Sequence, residues 1–358
     1  MLKSKYVSLF LSAILVVSTL SLYGCNSSKR SKSGDEKVLN VFTWANYIPD
    51  AVVKDFEKDT GIKVNYSPFS SNEEMLTKLQ AVNGGQYDVI VCSDYIIQLM
   101  TKQKNVLLKP IIKSKIPNFK NVNPVYLKQY YDKTNRYSIP YVAGSEMIVY
   151  NSDKIKTPIT SYKQLWNPSY KNSIALLDDE RSVIGMALKV LGYGINETDP
   201  KKLDQAKKLL KKLKPNVKVF DADTPHKSLI SGDCNIGVMY GSQASAAVKA
   251  DPKFKIAYPK EGMNVSIDNF VIPIKAPHEK NAEKFINYML SGKESSKASK
   301  IIEYLNTNTD AKKYMSKSYL NNKAVFIPEK LIKSAQHLVD VGSSNKTYDA
   351  IWTEFKQE

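Results

Sequence analysis

Between residues 38 and 91 the chain alternates strand-like and helix-like patterns, and this alternation restricts the fold more than any other feature. Residues 38–42 read as a strand, and 51–60 as a helix stopped by Gly61, the residue that best tolerates a left-handed backbone. Residues 62–66 read as a second strand, 72–82 as a helix ended by Gly84-Gly85, and 87–91 as a largely apolar third strand. A β-α-β-α-β order predicts an α/β fold with a mainly parallel sheet covered on both faces. The alternation resumes later, where 201–213 carries Leu203, Ala206, Leu209, Leu210 and Leu213 on one helical face, followed by strands at 217–220 and 235–240. Residues 280–290 repeat the amphipathic pattern with Ala282, Phe285, Ile286 and Leu290. At 358 residues and 42% hydrophobic, the chain is too long for one core and too apolar for disorder. Two extended stretches fixed by proline, Tyr137-Ser138-Ile139-Pro140-Tyr141 and Phe270-Val271-Ile272-Pro273, suit two lobes joined by more than one strand and able to close by hinge motion.

The formal net charge of +17 invites a nucleic-acid reading, but its chemistry argues otherwise. Arg30, Arg136 and Arg181 are the only arginines, so the excess is almost all lysine. Phosphate and base-edge recognition favours the planar arginine fork, so the balance reads as a lysine-rich surface with no nucleic-acid partner.

The first residues look like an address. Lys3 and Lys5 precede an apolar run over 6–22 and then Leu22-Tyr23-Gly24-Cys25, which predicts a signal peptide over 1–24. Its end resembles a bacterial lipobox, implying lipidation of Cys25 and a body anchored outside the cytoplasm, although Tyr23 is bulkier than the usual residue. An uncleaved signal anchor is the alternative, against which the apolar run is short for a bilayer span. Residues 25–37 are polar and Ser/Lys-rich and read as a flexible tether. Cys92 and Cys234 sit in apolar runs and read as small buried hydrophobes, with a disulfide between them left open. With His226, His278 and His337 scattered, neither a metal site nor a cofactor is expected.

Ligands of open α/β sheets bind beyond the carboxyl ends of the strands. There the sequence is aromatic or acidic: Trp44 to Tyr47, Ser93 and Tyr95, Asp178-Asp179-Glu180-Arg181, Tyr240 and Asp268. Rings attract an organic ammonium ion over its methylenes while carboxylates take its N–H donors. Each residue also has an ordinary explanation: Trp44 and Tyr240 as core aromatics, Asp179 and Asp268 as helix caps, and 178–180 as a solvated acidic turn. Catalysis has little support, since Gly241-Ser242-Gln243 lacks the second glycine of a nucleophile elbow.

At these residues the chain resembles the spermidine/putrescine-binding proteins of bacterial ABC importers over roughly 39–355. The resemblance rests on Thr43-Trp44-Ala45-Asn46-Tyr47, Thr60-Gly61-Ile62-Lys63-Val64, Tyr87-Asp88-Val89-Ile90-Val91, Tyr137-Ser138-Ile139-Pro140-Tyr141, Leu165-Trp166-Asn167-Pro168-Ser169-Tyr170-Lys171 and Asp340-Val341-Gly342, in that order and spacing. It implies a two-lobed type II periplasmic-binding-protein fold with an interlobe cleft, a monomeric non-enzymatic receptor that hands a polyamine to a membrane permease. The lobes are expected at 38–142 with 269–304 and at 143–268 with 305–358. The resemblance also assigns Trp44 and Tyr47 to an aromatic wall, Ser93 and Tyr95 to polar contacts, Asp179 and Asp268 to amine-binding carboxylates, and Tyr240 to a stacking position. Departures fall at Asn46, Ser182, Ser266 and Leu338, where a carboxylate, a further glutamate, a second tryptophan and a glutamine are expected. They favour a diamine or modified amine over spermidine, with Glu146 and Glu180 as candidates for replacement charge. The rival reading is a zwitterionic or anionic solute clamped by Arg181.

Overall fold

The computed structural model describes residues 37–102 and 106–357. The expected leader over 1–24, lipidation at Cys25 and the tether as far as residue 36 lie outside the described residues. The opening alternation is present as β1 (Val38–Trp44), α1 (Asp50–Thr60), β2 (Lys63–Phe69), α2 (Asn72–Ala81) and β3 (Val89–Ser93), followed at once by α3 (Asp94–Lys102). Gly61 ends α1 with φ 68° and donates its N–H to the Glu57 carbonyl, which is why that helix stops there. The chain continues through β4 (Ser138–Gly144), β5 (Glu146–Asn151), β6 (Ile174–Leu176), α4 (Glu180–Val190), α5 (Pro200–Leu213), β7 (Val217–Phe220) and α6 (Pro225–Ile230). It then forms β8 (Ile236–Tyr240), α7 (Gly241–Ala250), β9 (Phe254–Ala257), β10 (Ser266–Val271), α8 (Glu279–Met289) and α9 (Gly292–Ile302). The last elements are β11 (Leu305–Asn306), α10 (Lys317–Leu320), α11 (Glu329–Lys333) and α12 (Asn345–Gln357).

The strands form a six-stranded sheet, β11-β4-β10-β3-β1-β2, and a five-stranded sheet, β7-β6-β8-β5-β9. Period-two alternation lets each sheet bury both faces. Leu39 and Val41 of β1, with Val89 and Val91 of β3, pack on α1 and α8 through Phe56 and Phe285, whose rings meet edge to face at 5.0 Å. Phe42, Ile90 and Cys92 point into the opposite layer. In the second sheet Ile148 and Tyr150 join the layer built with α4, α5 and α12, while Met147 and Val149 face the other way.

The α/β class and the two lobes are as the sequence suggests, but the sheets are mixed and not mainly parallel. β1 pairs parallel with β2 and β3, whereas β10 runs antiparallel to β3 and β4, and β5 runs antiparallel to β8 and β9. Parallel neighbours need a long crossover. β4 and β5 are instead separated by Ser145 alone and run straight from one sheet into the other, so the crossing sets their direction. The changeovers also lie a few residues from the expected ones. β4 keeps its partners to Gly144, β10 begins at Ser266, and β11 pairs with β4, so 143–144, 266–268 and 305–306 belong to the first sheet. The crossings are tied together where the Ser145 hydroxyl donates to the Asn264 carbonyl at 2.6 Å and where Asn264 bridges to Gln336.

Candidate ligand-binding site

The first half of the site is made by strand register. β10 lies between β3 and β4 with Asp268 opposite Ser93, beside a bulge between Asp268 and Asn269. Register therefore brings together two side chains that are far apart in sequence. The Ser93 hydroxyl donates to Asp268 Oδ1 at 2.8 Å, and the Tyr47 hydroxyl donates to Asp268 Oδ2. Tyr47 reaches there because the chain turns after β1 through Asn46, whose φ of 59° lies in the left-handed region that asparagine tolerates. Trp44 packs against Tyr47 with ring centroids 5.1 Å apart, and Tyr304 meets Tyr47 edge-on at 5.5 Å. Burial pushes the Asp268 carboxyl up to about 6 against the opposing effect of its two hydroxyl donors, with Asp94 adding a further upward push.

The second half is built the same way. Glu146 opens β5 directly opposite Tyr240, the last residue of β8. The Tyr240 hydroxyl donates to Asp179 Oδ2 at 3.0 Å, while Asp179 Oδ1 accepts from the Ser182 backbone N–H at 2.9 Å. Asp179 is thus both a helix cap for α4 and a pocket carboxylate, and one oxygen serves each role. Glu146 is buried and accepts from Asn264 Nδ2 at 3.2 Å. Burial first, then the Asp179 charge, push its carboxyl up to about 7. Tyr304 raises the hydroxyls of both Tyr47 and Tyr240, which puts it within electrostatic reach of each half.

Of the residues singled out from sequence, Trp44, Tyr47, Ser93 and Asp268 form one cluster, and Asp179 and Tyr240 form a second. Tyr95 stands apart from both, since its hydroxyl donates to Glu73 Oε1 at 2.7 Å and accepts from Asn72 Nδ2 at 3.2 Å. Ser182 is buried, Asn46 is exposed, and Ser266 lies opposite Gly144 in the β10–β4 ladder. Leu338 contributes its carbonyl to the Tyr130 hydroxyl at 3.0 Å. Glu180 lies beside Asp349, where burial and then that neighbour raise its carboxyl to about 7. Sequence reasoning missed Tyr304, where it set only a lobe boundary, and Glu73. Arg181 is engaged elsewhere: its guanidinium sits 4.7 Å over the Tyr348 ring and donates to Asn196 Oδ1 at 2.8 Å and to the Val339 carbonyl. Cys92 and Cys234 are both free and buried. Among the described residues no group of three or more His, Cys, Asp or Glu side chains is arranged for a metal ion, and no helix is long and apolar enough to cross a membrane.

Known proteins share this architecture. The family model for bacterial extracellular solute-binding proteins matches residues 51–327. A spermidine/putrescine-binding periplasmic protein of Salmonella typhimurium is 37% identical over 326 residues, covering 90% of this chain and 93% of that protein. The crystal structure of a spermidine/putrescine ABC transporter substrate-binding protein from Streptococcus pneumoniae superposes with a TM-score of 0.80 at 33% identity, covering 89% of this chain and 98% of that one. A lipoprotein of Treponema pallidum superposes with a TM-score of 0.79 at 27% identity, covering 90% of this chain and 100% of that one.

Proposed function

The chain belongs to the bacterial extracellular solute-binding proteins, and from that premise we propose that it captures a polyamine of the putrescine or spermidine type between its lobes for an ABC importer. One observation carries the reading. Asp268 and Asp179 are each held by a tyrosine hydroxyl, with no lysine or arginine ion pair to either among the described residues. Asp268, buried without a cationic partner, carries a desolvation penalty that an alkylammonium group relieves, and half-buried Asp179 offers a second carboxylate. Trp44, Tyr47, Tyr240 and Tyr304 supply rings for the methylenes between the ammonium groups.

Trp44, Tyr47, Ser93, Asp179, Tyr240 and Asp268 are the residues proposed to touch ligand, with Tyr304 added. Tyr95 is proposed to act one step removed, by fixing Asn72, which accepts from the Ser93 N–H at 3.3 Å. Closure follows because only the closed state presents both carboxylates at once. The lobes move about the passages at 144–146 and 258–265 and the one after β11. The remaining parts of the reading are lipidation at Cys25, a monomeric receptor on the outer face of the membrane, and docking of the closed form to a permease, with no bond broken. The outward lysines do not oppose this, since charge beyond about 8 Å is screened at physiological salt and local carboxylates set the affinity. The rival clamp on an anionic solute loses its support because Arg181 is occupied by Tyr348, Asn196 and Val339.

The test is a calorimetric and thermal-shift panel of putrescine, cadaverine, spermidine, spermine, thiamine and amino acids on the chain without residues 1–25. Amines are expected to raise the melting temperature by mass action. A response to an acid with none to any amine would overturn the reading.

A further inference from the structure

A groove of about 900 Å³ follows the outer edge of β9, the last strand of the five-stranded sheet, which pairs with β5 alone. None of the residues proposed to touch the amine lines it. Antiparallel register decides which backbone groups of β9 look into this groove. The Ser152 N–H donates to the Lys253 carbonyl at 2.9 Å, and the same register pairs Tyr150 with Lys255 and Ile148 with Ala257. Hydrogen-bonded and non-hydrogen-bonded positions alternate along such a ladder, so Lys253, Lys255 and Ala257 turn their backbone groups to β5 while Phe254 and Ile256 turn theirs outward. The Phe254 N–H is taken up locally by the Asp251 carbonyl at 3.1 Å. The Ile256 N–H and C=O have no such partner among the described residues and lie along the groove.

The lining joins apolar side chains to cations. Tyr150, Ile155, Val248 and Tyr319 line the groove together with Lys156, Lys249, Lys255 and Lys323, and no aspartate or glutamate does. Lys249 is paired with Glu303, and Lys255 Nζ donates to the Pro252 carbonyl at 2.8 Å. Lys156 and Lys323 are exposed and have no acidic partner among the described residues. An open strand edge is a template for another strand, and lysines along it repel a like-charged edge. A second copy of this chain would bring the same lysines against these, so the charge that excludes self-pairing selects an acidic partner. We propose that the groove is a docking site for an extended acidic peptide segment of a partner protein. The segment adds a short strand to β9 through the Ile256 backbone, lays apolar side chains on the groove walls and meets Lys156 and Lys323 with its carboxylates. The inference stands independently of the amine reading, because it uses a different face of the second lobe.

The experiment titrates an acetylated, amidated peptide of alternating valine and glutamate into the full chain at physiological salt and follows binding by calorimetry. Two counterparts serve as controls, one with lysine in place of glutamate and one methylated at every amide nitrogen. The acidic peptide is expected to bind and the lysine peptide to show no binding. Methylation removes the N–H donors and keeps the charges, so it is expected to weaken binding by about ten-fold or more. The double variant Lys156→Glu, Lys323→Glu turns two exposed attractions into repulsions and is expected to weaken the acidic peptide by about ten-fold, with its peptide-free melting temperature unchanged. No binding of the acidic peptide, equal binding of its methylated counterpart, or undiminished binding to the double variant each overturns the proposal. A dimer of the unsubstituted chain in sedimentation that excess acidic peptide dissociates would put a second copy in the groove and overturns it as well.

Discussion

Replacing Asp268 with asparagine should stabilise the ligand-free protein while destroying its affinity for amines. The carboxyl is raised from an ordinary value near 3.8 to about 6, chiefly by burial. That difference corresponds to about 3 kcal/mol of penalty for holding the charged form in the folded state. Asparagine resembles the neutral acid in shape and keeps an oxygen for the Ser93 or Tyr47 hydroxyl, so the variant escapes the penalty. The sign follows from the two protonation equilibria. Unfolded Asp268 ionises near its ordinary value and folded Asp268 only near 6, so the gain from Asp268→Asn is absent below about pH 4, grows from there to about pH 6 and is complete above it. Unfolding entropy scales with chain length, and for a body of this size the full gain raises the melting temperature by about 4 °C. Putrescine at a thousand times its dissociation constant stabilises the unsubstituted chain by about 4 kcal/mol and the variant hardly at all, which inverts the order. Calorimetric melting at pH 4 and pH 8, with and without putrescine, reads all of these quantities. A variant that melts below the unsubstituted chain at pH 8 without ligand, or that gains an equal shift from putrescine, would refute the claim that Asp268 is a buried charge awaiting a cation.

Arg181→Lys should lose the planar stack on Tyr348 and the bond to Asn196, costing about 1–2 kcal/mol in urea denaturation. Its putrescine affinity should be unchanged, and a clear weakening would return Arg181 to the binding site. The Cys92 thiol is pushed up by burial and that of Cys234 to about 11, so two thiols should react with a disulfide reagent only after unfolding. Reaction of either in the folded protein would place it at the surface. Gly241→Ala would set a Cβ 2.6 Å from the Ala324 carbonyl oxygen and should cost about 1–3 kcal/mol in the same denaturation assay. An unchanged midpoint would mean that the segment around Ala324 yields freely.

Much of the first lobe is legible in sequence because its order is local. The 38–93 alternation is written in periodicity and in the Gly61 stop, and β1, α1, β2, α2 and β3 fall within two or three residues of the expected bounds. The strand-end residues were legible for the same reason, since a βα loop carries its ligand contacts next to the strand that aims them. Partners across the sheets were not. Nothing near Tyr95 tells that its hydroxyl belongs to Glu73, and Tyr304 enters only because β11 joins β4 and so brings the residue before it against Tyr47.

The sequence by itself determined the strand and helix periods, the aromatic and acidic character of the strand ends, and the family. Tertiary structure alone decided that β10 would slot between β3 and β4 with Asp268 opposite Ser93, and that β5 would set Glu146 against Tyr240. Helix and strand patterns encode which face of an element is buried, a property of neighbours a few residues apart. Register between strands far apart in sequence depends on how whole layers pack, and that packing fixes which carboxylates lie buried without a cation.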